Sequence, residues 1–540
     1  MSSGLLGVAL TGLNAAQIGL RTTQQNIANA NTPGYRVQTV NQSTQQPQYT
    51  GAGYVGNGVT IAGITHQYSQ FLDNEVLLNQ TQLSRYTTLS DRAAQLDKLL
   101  GDSSSSLSST LDAFFAGAQE LANDPASAST RQNMLSSSQN LAGRFNMLAN
   151  QLQAYRSSSN TDLQSLVAKI NDLATQISQA NAGIAQTAAV NGQLPNDLVD
   201  ARDKLVEDLN KLVNVTRQDA GNGMVNVFIG SGQPLVAGTK ANSMGTKASA
   251  NDASVLDPTI SVGGSSLTLT GNLITGGELG GLLDYRQNVL LPALDNLNRI
   301  AMSVASAVNG VQRGGLDYNL TAGSDLFASP VAPSAGAPQM SFSANVGNPQ
   351  SLDPAGYTLS WDGTNYTLTA NTSGISVTGG TLAAVTNGWG FSLVAASPPA
   401  AGDSWTIAGS YAHQISVAIT DPKLIAAAAV GAGGPGNNAN ALLLAGLQNS
   451  QSMNSGTATF ATAYNQTVSN TAMQASQSDT NKSAFQTLTD SAVGAQQAQV
   501  GVNLDEEAAK LIQFQSAYQA SAKALQIANS LFNDILNALQ

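Results

Sequence analysis

Both ends of this 540-residue chain carry an apolar residue at every seventh position, and that repeat constrains the fold more than any other feature. Leu6, Leu13, Leu20 and Ile27 step by seven near the N-terminus, with Ala9, Ala16, Thr23 and Ala30 three residues after each. Leu504, Leu511, Tyr518, Leu525, Phe532 and Leu539 do the same near the C-terminus, and Phe514, Ala528 and Ile535 follow three of them by three. Such spacing gathers side chains on one stripe of a helix and predicts a coiled-coil seam at each end. The C-terminal helix is expected to be about 54 Å long at 1.5 Å per residue. Neither seam can order itself. Fixing about 30 residues costs roughly 1–2 kcal/mol each in backbone entropy, against about half a dozen large side chains worth roughly 1.5–3 kcal/mol each when buried. Both ends are therefore expected to be loosely ordered alone, and helical once packed on each other and on neighbouring copies or partners.

The N-terminal helix has a legible stop. Residues 26–35 read NIANANTPGY, in which Pro33 disfavours the helical region at Thr32 and Pro33-Gly34 suits the centre of a type II turn with Gly34 at positive φ. The helix is expected to end near Asn29 to Asn31, and Tyr35 is the first residue beyond the turn.

A chain of this length exceeds a single core. Further seven-residue steps occur at Met134, Leu141, Leu148 and Tyr155, then restart at Leu163, Ile170, Ile177 and Ile184, and recur at Leu290, Leu297, Val304 and Val311. They predict a helical bundle with Pro292 starting or bending one member. Alternating runs between 223 and 275 predict a small β part. A larger β block is expected at 325–420, where Asp362-Gly363 between YTLSW and YTLT signals a hairpin and Trp361, Trp389 and Trp405 are candidate core seeds. The expected fold is mainly α with inserted β domains: a terminal unit of 1–70 and 475–540, a bundle of 71–324 and 421–474, and an outer β unit of 325–420.

Composition excludes several functions. A net charge of -11 with no basic cluster argues against nucleic acid. The absence of cysteine removes disulfides and thiolate metal sites. His66 and His413 lack acidic partners at ligand spacing, so no catalytic, metal or cofactor residue is expected. No run of 18 apolar residues predicts membrane insertion, and MSSGLLGVAL lacks the basic start of a cleaved signal. GAGGPG at 431–436 matches a dinucleotide loop only by letter, because KLIAAAAV before it is no strand and Pro435 interrupts it. Asp505, Glu506 and Glu507 read as the acidic first turn of a helix capped by Asn503. The charges of 195–215 read as a solvated face with pairs such as Asp200 to Lys204.

SGLLGVALTGLNAAQIGLRTTQQNIANANTPGYR and GVNLDEEAAKLIQFQSAYQASAKALQIANSLFNDIL resemble the N- and C-terminal signatures of the bacterial flagellar rod, hook and hook-associated axial proteins. PNDLVDARDKLVEDLNKLVNV and GELGGLLDYRQNVLLPALDNLNRIAMSVASAVNGVQRGGLDYN resemble, within that family, the members at the hook-filament junction. The likeness covers most of the chain except the block at 325–420. It implies an extracellular structural protein, exported through the flagellar type III route without signal cleavage, whose terminal helices line an inner tube. It further implies contact with hook protein and the next hook-associated protein, self-association in a ring or helical layer, and an export chaperone on the C-terminal helix. The implied assembly residues are Leu6, Leu13, Leu20, Ile27, Asn29, Pro33, Gly34, Tyr35 and the C-terminal heptad set. Two other readings are a secreted adhesin or glycan-active protein using the β block, which requires an aromatic-carboxylate groove there, and a hook or filament subunit.

Overall fold

The structure, a computed structural model, describes residues 2–538 apart from 50, 52, 103–105, 251, 271–272, 345–351 and 432. The first helix, α1 (Ser2–Ala28), ends where the turn signal requires, and Tyr35 N donates to Thr32 O at 3.2 Å across Pro33 and Gly34, the latter at φ +83°. A long hairpin follows: β1 (Gln38–Thr44) pairs antiparallel with β4 (Val59–His66), and its tip is the short pair β2 (Gln48–Tyr49) and β3 (Tyr54–Val55). Periodicity does not reveal this hairpin, because QTVNQST has polar residues on both faces and a register shift falls between Asn41 and Gln42.

Next come α2 (Gln70–Leu100), α3 (Leu107–Asn123) and α4 (Ala128–Asn191). The two heptad runs expected as separate helices form one helix, α4, of 64 residues. Leu152 to Leu163 spans eleven residues, close to three whole turns, so the restart keeps the apolar stripe on one side of a straight helix. The stripe serves two cores. Leu141, Phe145, Leu148 and Leu152 pack in the larger one, and Leu163, Ile170 and Ile177 pack in a second beneath the small sheets.

After α5 (Asn196–Leu212) comes a four-stranded meander of β5 (Val215–Gly221), β6 (Met224–Ile229), β7 (Gln233–Ala237) and β8 (Lys240–Ala241). A three-stranded sheet has β10 (Leu256–Val262) between β9 (Ser243–Ala248) and β11 (Ser265–Thr268). The chain then runs through α6 (Gly277–Tyr285), a π-helical turn at Arg286–Leu290, and α7 (Leu291–Arg313). The wider turn falls just before Pro292, which has no N–H to give the helix ladder.

The insertion leaves and rejoins the helical body at one place, since β12 (Gly315–Leu316) pairs antiparallel with β20 (Ala428–Ala429). Between them lie β13 (Val331–Pro333), β14 (Met340–Ala344), β15 (Tyr357–Trp361), β16 (Tyr366–Ala370), β17 (Ser376–Gly379), the short helix α8 (Leu382–Thr386), β18 (Phe391–Ala395) and β19 (Ser404–Ile407). The main sheet has the order β13-β19-β15-β16-β17, and β14 pairs with β18. The hairpin turns at Asp362, whose Oδ1 accepts from Thr364 N and Asn365 N at 2.7 Å each. Of the three tryptophans only Trp405 is fully buried, its Nε1 donating to Pro338 O at 2.7 Å. The described residues of this block share their core with α7. Phe342 N donates to Ser306 Oγ at 2.7 Å, Ala344 N to Ser303 Oγ at 3.1 Å, and the fully buried Arg299 of α7 donates to Gly390 O at 2.8 Å. Phe342, Tyr357 and Trp405 belong to the same apolar cluster as Val304 and Val308.

Beyond the insertion come α9 (Ala439–Gly446) and a 3-10 turn at Leu447–Asn449, then α10 (Phe460–Val500) and α11 (Leu504–Ala538). The boundary expected at 475 falls inside α10, which runs unbroken beside α2 with Tyr86 and Phe485 stacked at 5.5 Å. Residues 501–503 separate α10 from α11.

Candidate assembly site

The two chain ends meet. α1 and α11 pack antiparallel, and three contacts fix the register: Gly12 against Ser521, Gly19 against Phe514, and Asn26 against Glu507. Each step is seven residues in opposite directions, which is the heptad repeat of both segments. The face that α1 turns to α11 is its row of small residues, Ala9, Gly12, Ala16, Gly19 and Thr23, not its leucines. A Cβ on Gly19 would stand 2.6 Å from the Phe514 ring, so glycine is what admits that ring. Leu6 and Ile27 are 39% and 36% exposed, while Leu13 and Leu20 are half-buried on the same flank. The expected leucine seam is thus half of the repeat, and the other half makes the contact.

On α11, Leu511 and Leu525 are half-buried toward α1, and Tyr518 is partly exposed between them. Leu504 and Phe532 are about half exposed at 53% and 49%. Leu539 and the side chain of Ile535 lie outside the described residues. The opposite faces of the pair carry a second apolar set, with Leu10, Ile512 and Ile527 at 56%, 63% and 52% exposure.

Beyond α1, Asn29 fastens the turn: its Nδ2 donates to Gln25 O at 3.0 Å and its Oδ1 accepts from Thr32 Oγ1 at 3.1 Å. Tyr35 then folds back so that its phenol donates to Asn26 Oδ1 at 2.8 Å. Burial, then Asp197, Asp200 and Glu507, push that phenol's pKa well above its ordinary value, so it stays a donor. Asn26 Nδ2 donates to Glu507 Oε2 at 2.8 Å and to Gln38 O at 2.9 Å, and Gln38 N donates to Asn26 Oδ1 at 3.0 Å. Asn503 caps α11 as expected, with Asp505 N 3.0 Å from its Oδ1. Glu507, however, is 1% exposed and bonded across the pair, a role its place in an acidic first turn does not disclose.

Next to the turn lies a buried ionic knot. Arg36 Nη2 is 2.6 Å from Asp73 and its Nη1 is 3.1 Å from Asp203. Arg217 reaches the same two carboxylates at 2.9 and 3.5 Å, and Arg202 lies 2.7 Å from Asp203. Gln496 of α10 donates to Asp73 Oδ1 at 2.6 Å, and Arg36 N donates to Asp200 Oδ2 at 3.2 Å. Burial works to raise the Asp203 carboxyl, but Arg202, Arg217 and Arg36 outweigh it and hold the group below the usual carboxylate range. Asp200 is 5% exposed and lies 2.9 Å from His66 Nδ1, within ion-pair reach but off the line of a hydrogen bond. The expected Asp200 to Lys204 pair does not form: Lys204 pairs with Glu207 and Asp208, each at 3.1 Å. Sequence reading misplaced this helix face because its partners, Arg36, His66 and Arg217, come from three other segments.

A cleft of about 620 Å³ opens here between the turn and α10, with Pro33, Lys204, Val76, Gln496 and Val500 on its walls. Among the described residues no group of three His, Cys, Asp or Glu could hold a metal. Among the described residues no helix is long and apolar enough to cross a membrane. Residues 433–436 lie in the loop between β20 and α9.

Comparison with known proteins places similarity where these features lie. Residues 6–36 match the family model described as flagella basal body rod protein, and 497–538 that of the flagellar basal body rod FlgEFG protein C-terminal. Residues 93–327 match the flagellar hook-associated protein FlgK helical domain. Flagellar hook-associated protein 1 of Escherichia coli K12 is 30% identical over 99% of this chain and 100% of its own. The Salmonella typhimurium protein of that name is 30% identical over 99% and 100%, and that of Bacillus subtilis 28% identical over 61% and 71%. The solved structure of the flagellar hook junction protein FlgK from Burkholderia pseudomallei superposes with a TM-score of 0.63 at 27% identity, covering 78% of this chain and 99% of that one.

Proposed function

This chain belongs to the flagellar hook-associated protein 1 family, and from that premise we propose that its paired terminal helices are the surface through which it assembles. It is a structural protein of the bacterial flagellum at the hook-filament junction, associating with other axial components of that extracellular appendage. One observation carries the reading of the site: α1 and α11 satisfy each other through small residues and leave large apolar side chains pointing outward. Leu10, Ile512 and Ile527 stay more than half exposed within the subunit, and apolar surface removed from water is worth roughly 25 cal/mol per Å². Adjacent subunits cover it: hook protein on one side, the next hook-associated protein on the other, and copies of this chain laterally in a ring or helical layer. An export chaperone takes the C-terminal helix before assembly, and the chain leaves by type III export uncleaved. Terminal pair, helical body and β insertion are the three working parts, and none performs catalysis.

The test replaces Leu10, Ile512 and Ile527 with Asp in a strain whose own copy is deleted. Burying three unpaired carboxylates in subunit contacts costs several kcal/mol each, while the α1/α11 contact is untouched. The variant is expected to be exported and folded yet absent from the hook-filament boundary, with filament subunits shed into the medium. Normal filaments would refute the assignment of this face.

A further inference from the structure

We infer that Glu507 and Asn26 are positioning residues: together they set the angle between the terminal helix pair and the rest of the subunit. The inference rests on the assembly reading above and adds the device that orients its surface. The pair is joined covalently to the body by only two crossings, residues 29–37 and 501–503. At those crossings Val37 N donates to Val500 O at 2.9 Å, so the two strands of chain run side by side. The β1–β4 hairpin acts as a bracket. On one side Val59 N lies 3.4 Å from Thr11 Oγ1 of α1. On the other, Gln193 and Asn196 donate to Ala62 O and Ile64 O at 3.0 Å each, and Gln38 Nε2 donates to Asp197 at 2.7 Å.

Asn26 is where α1, α11 and this bracket meet. Gln38 presents both a backbone N–H and a backbone C=O to it, so the amide can adopt one orientation only, with Oδ1 toward the N–H and Nδ2 toward the C=O. The second Nδ2 hydrogen then points at position 507 and requires an acceptor there, which Glu507 supplies from a site 1% exposed. Aspartate at 26 would turn a carboxylate toward both Glu507 and Gln38 O. Glu507 also pairs through Oε1 with Lys510 Nζ at 2.7 Å on its own helix; leucine at 507 would leave the buried Asn26 donor unpaired, whereas glutamine keeps the acceptor for Asn26 and gives up only the ion pair with the partly exposed Lys510.

The chain has no cysteine, so spin labels on Gln519→Cys in α11 and Gln179→Cys in α4 report the angle in the free full-length subunit. The native and E507Q proteins are expected to give one narrow distance distribution. E507L and N26D should give a broad or displaced one, with helix content unchanged by circular dichroism, and junction incorporation should fall about tenfold, the size of one lost charge-assisted bond. A native distribution in E507L or N26D, or an E507Q distribution as broad as that of E507L, overturns the inference. So does full incorporation of a variant whose distances have broadened. If E507L loses helix, N26D decides. A native chain that fails to restore filaments in the deletion strain refutes the assembly reading instead, since the distances are measured without a flagellum.

Discussion

Gly19→Ala adds one carbon to the α1/α11 contact, and its sign can be worked out in advance. In an isolated helix the change stabilises by about 1 kcal/mol, because alanine is the better helix former. Here the new Cβ would sit 2.6 Å from two Phe514 ring atoms and 2.8 Å from a third, about 1 Å inside the optimal carbon-carbon separation. Phe514 is itself partly buried in the contact, so the ring or the whole helix must retreat. Overpacking of this kind costs roughly 1–3 kcal/mol. The helix gain is therefore cancelled or outweighed, for a net change of about 0 to 2 kcal/mol against the pair. Gly7→Ala is the control: nothing lies within 4 Å of its Cβ position, so it should keep the full gain of about 1 kcal/mol. Amide hydrogen exchange along α1 reads both as opening free energies of the pair. Gly7→Ala should slow exchange, Gly19→Ala should leave it unchanged or quicken it, and adding Phe514→Leu to Gly19→Ala should recover the protection. Equal slowing by the two alanines would show that α1 and α11 do not approach at Gly19, and the small-residue seam would fall.

Asp203→Asn should lower the unfolding free energy by about 3–5 kcal/mol, since Arg36, Arg202 and Arg217 lose a shared buried carboxylate; chemical denaturation measures it. The same carboxyl fixes a pH dependence. Its folded pKa is depressed, burial being outweighed by three guanidiniums, so its contribution is fully present above the ordinary aspartate value of about 4 and is lost as pH falls below that. Melting temperature should drop over that acid window, less steeply in Asp203→Asn. Removing 325–420 should give a product without cooperative melting, because the block shares its core with α7 through Ser303, Ser306 and Arg299; a sharp calorimetric transition would show instead that the bundle closes without it.

Much of this protein is local, and the local part was legible in the sequence. Pro33-Gly34 ends α1 because proline and glycine restrict the backbone wherever they stand, and Asn503 caps α11 for the same kind of reason. Seven-residue periodicity located α1, α4, α7 and α11, since the stripe a helix buries is written into its own residue spacing. What periodicity cannot say is which half of a repeat turns inward. Leu6, Leu13, Leu20 and Ile27 carry the apolar area, yet Gly12, Ala16 and Gly19 make the contact, because close approach of two backbones is decided by the partner's side chains, Phe514 and Ser521. Nor does sequence separation limit a buried polar bond. Glu507 read as an ordinary first-turn acid and Asp200 as a surface charge, but Asn26 lies 481 positions from one, and Arg36 lies 164 from the other. Within the uncharged run between Arg36 and His66, QTVNQST gave no strand signal because both its faces carry polar residues, and the hairpin it forms with Val59–His66 bonds to α1 and α5 in the folded chain. The terminal helices themselves were fixed by residue spacing; their mutual register and their attachment to the body were fixed by contacts that exist only after distant segments have met.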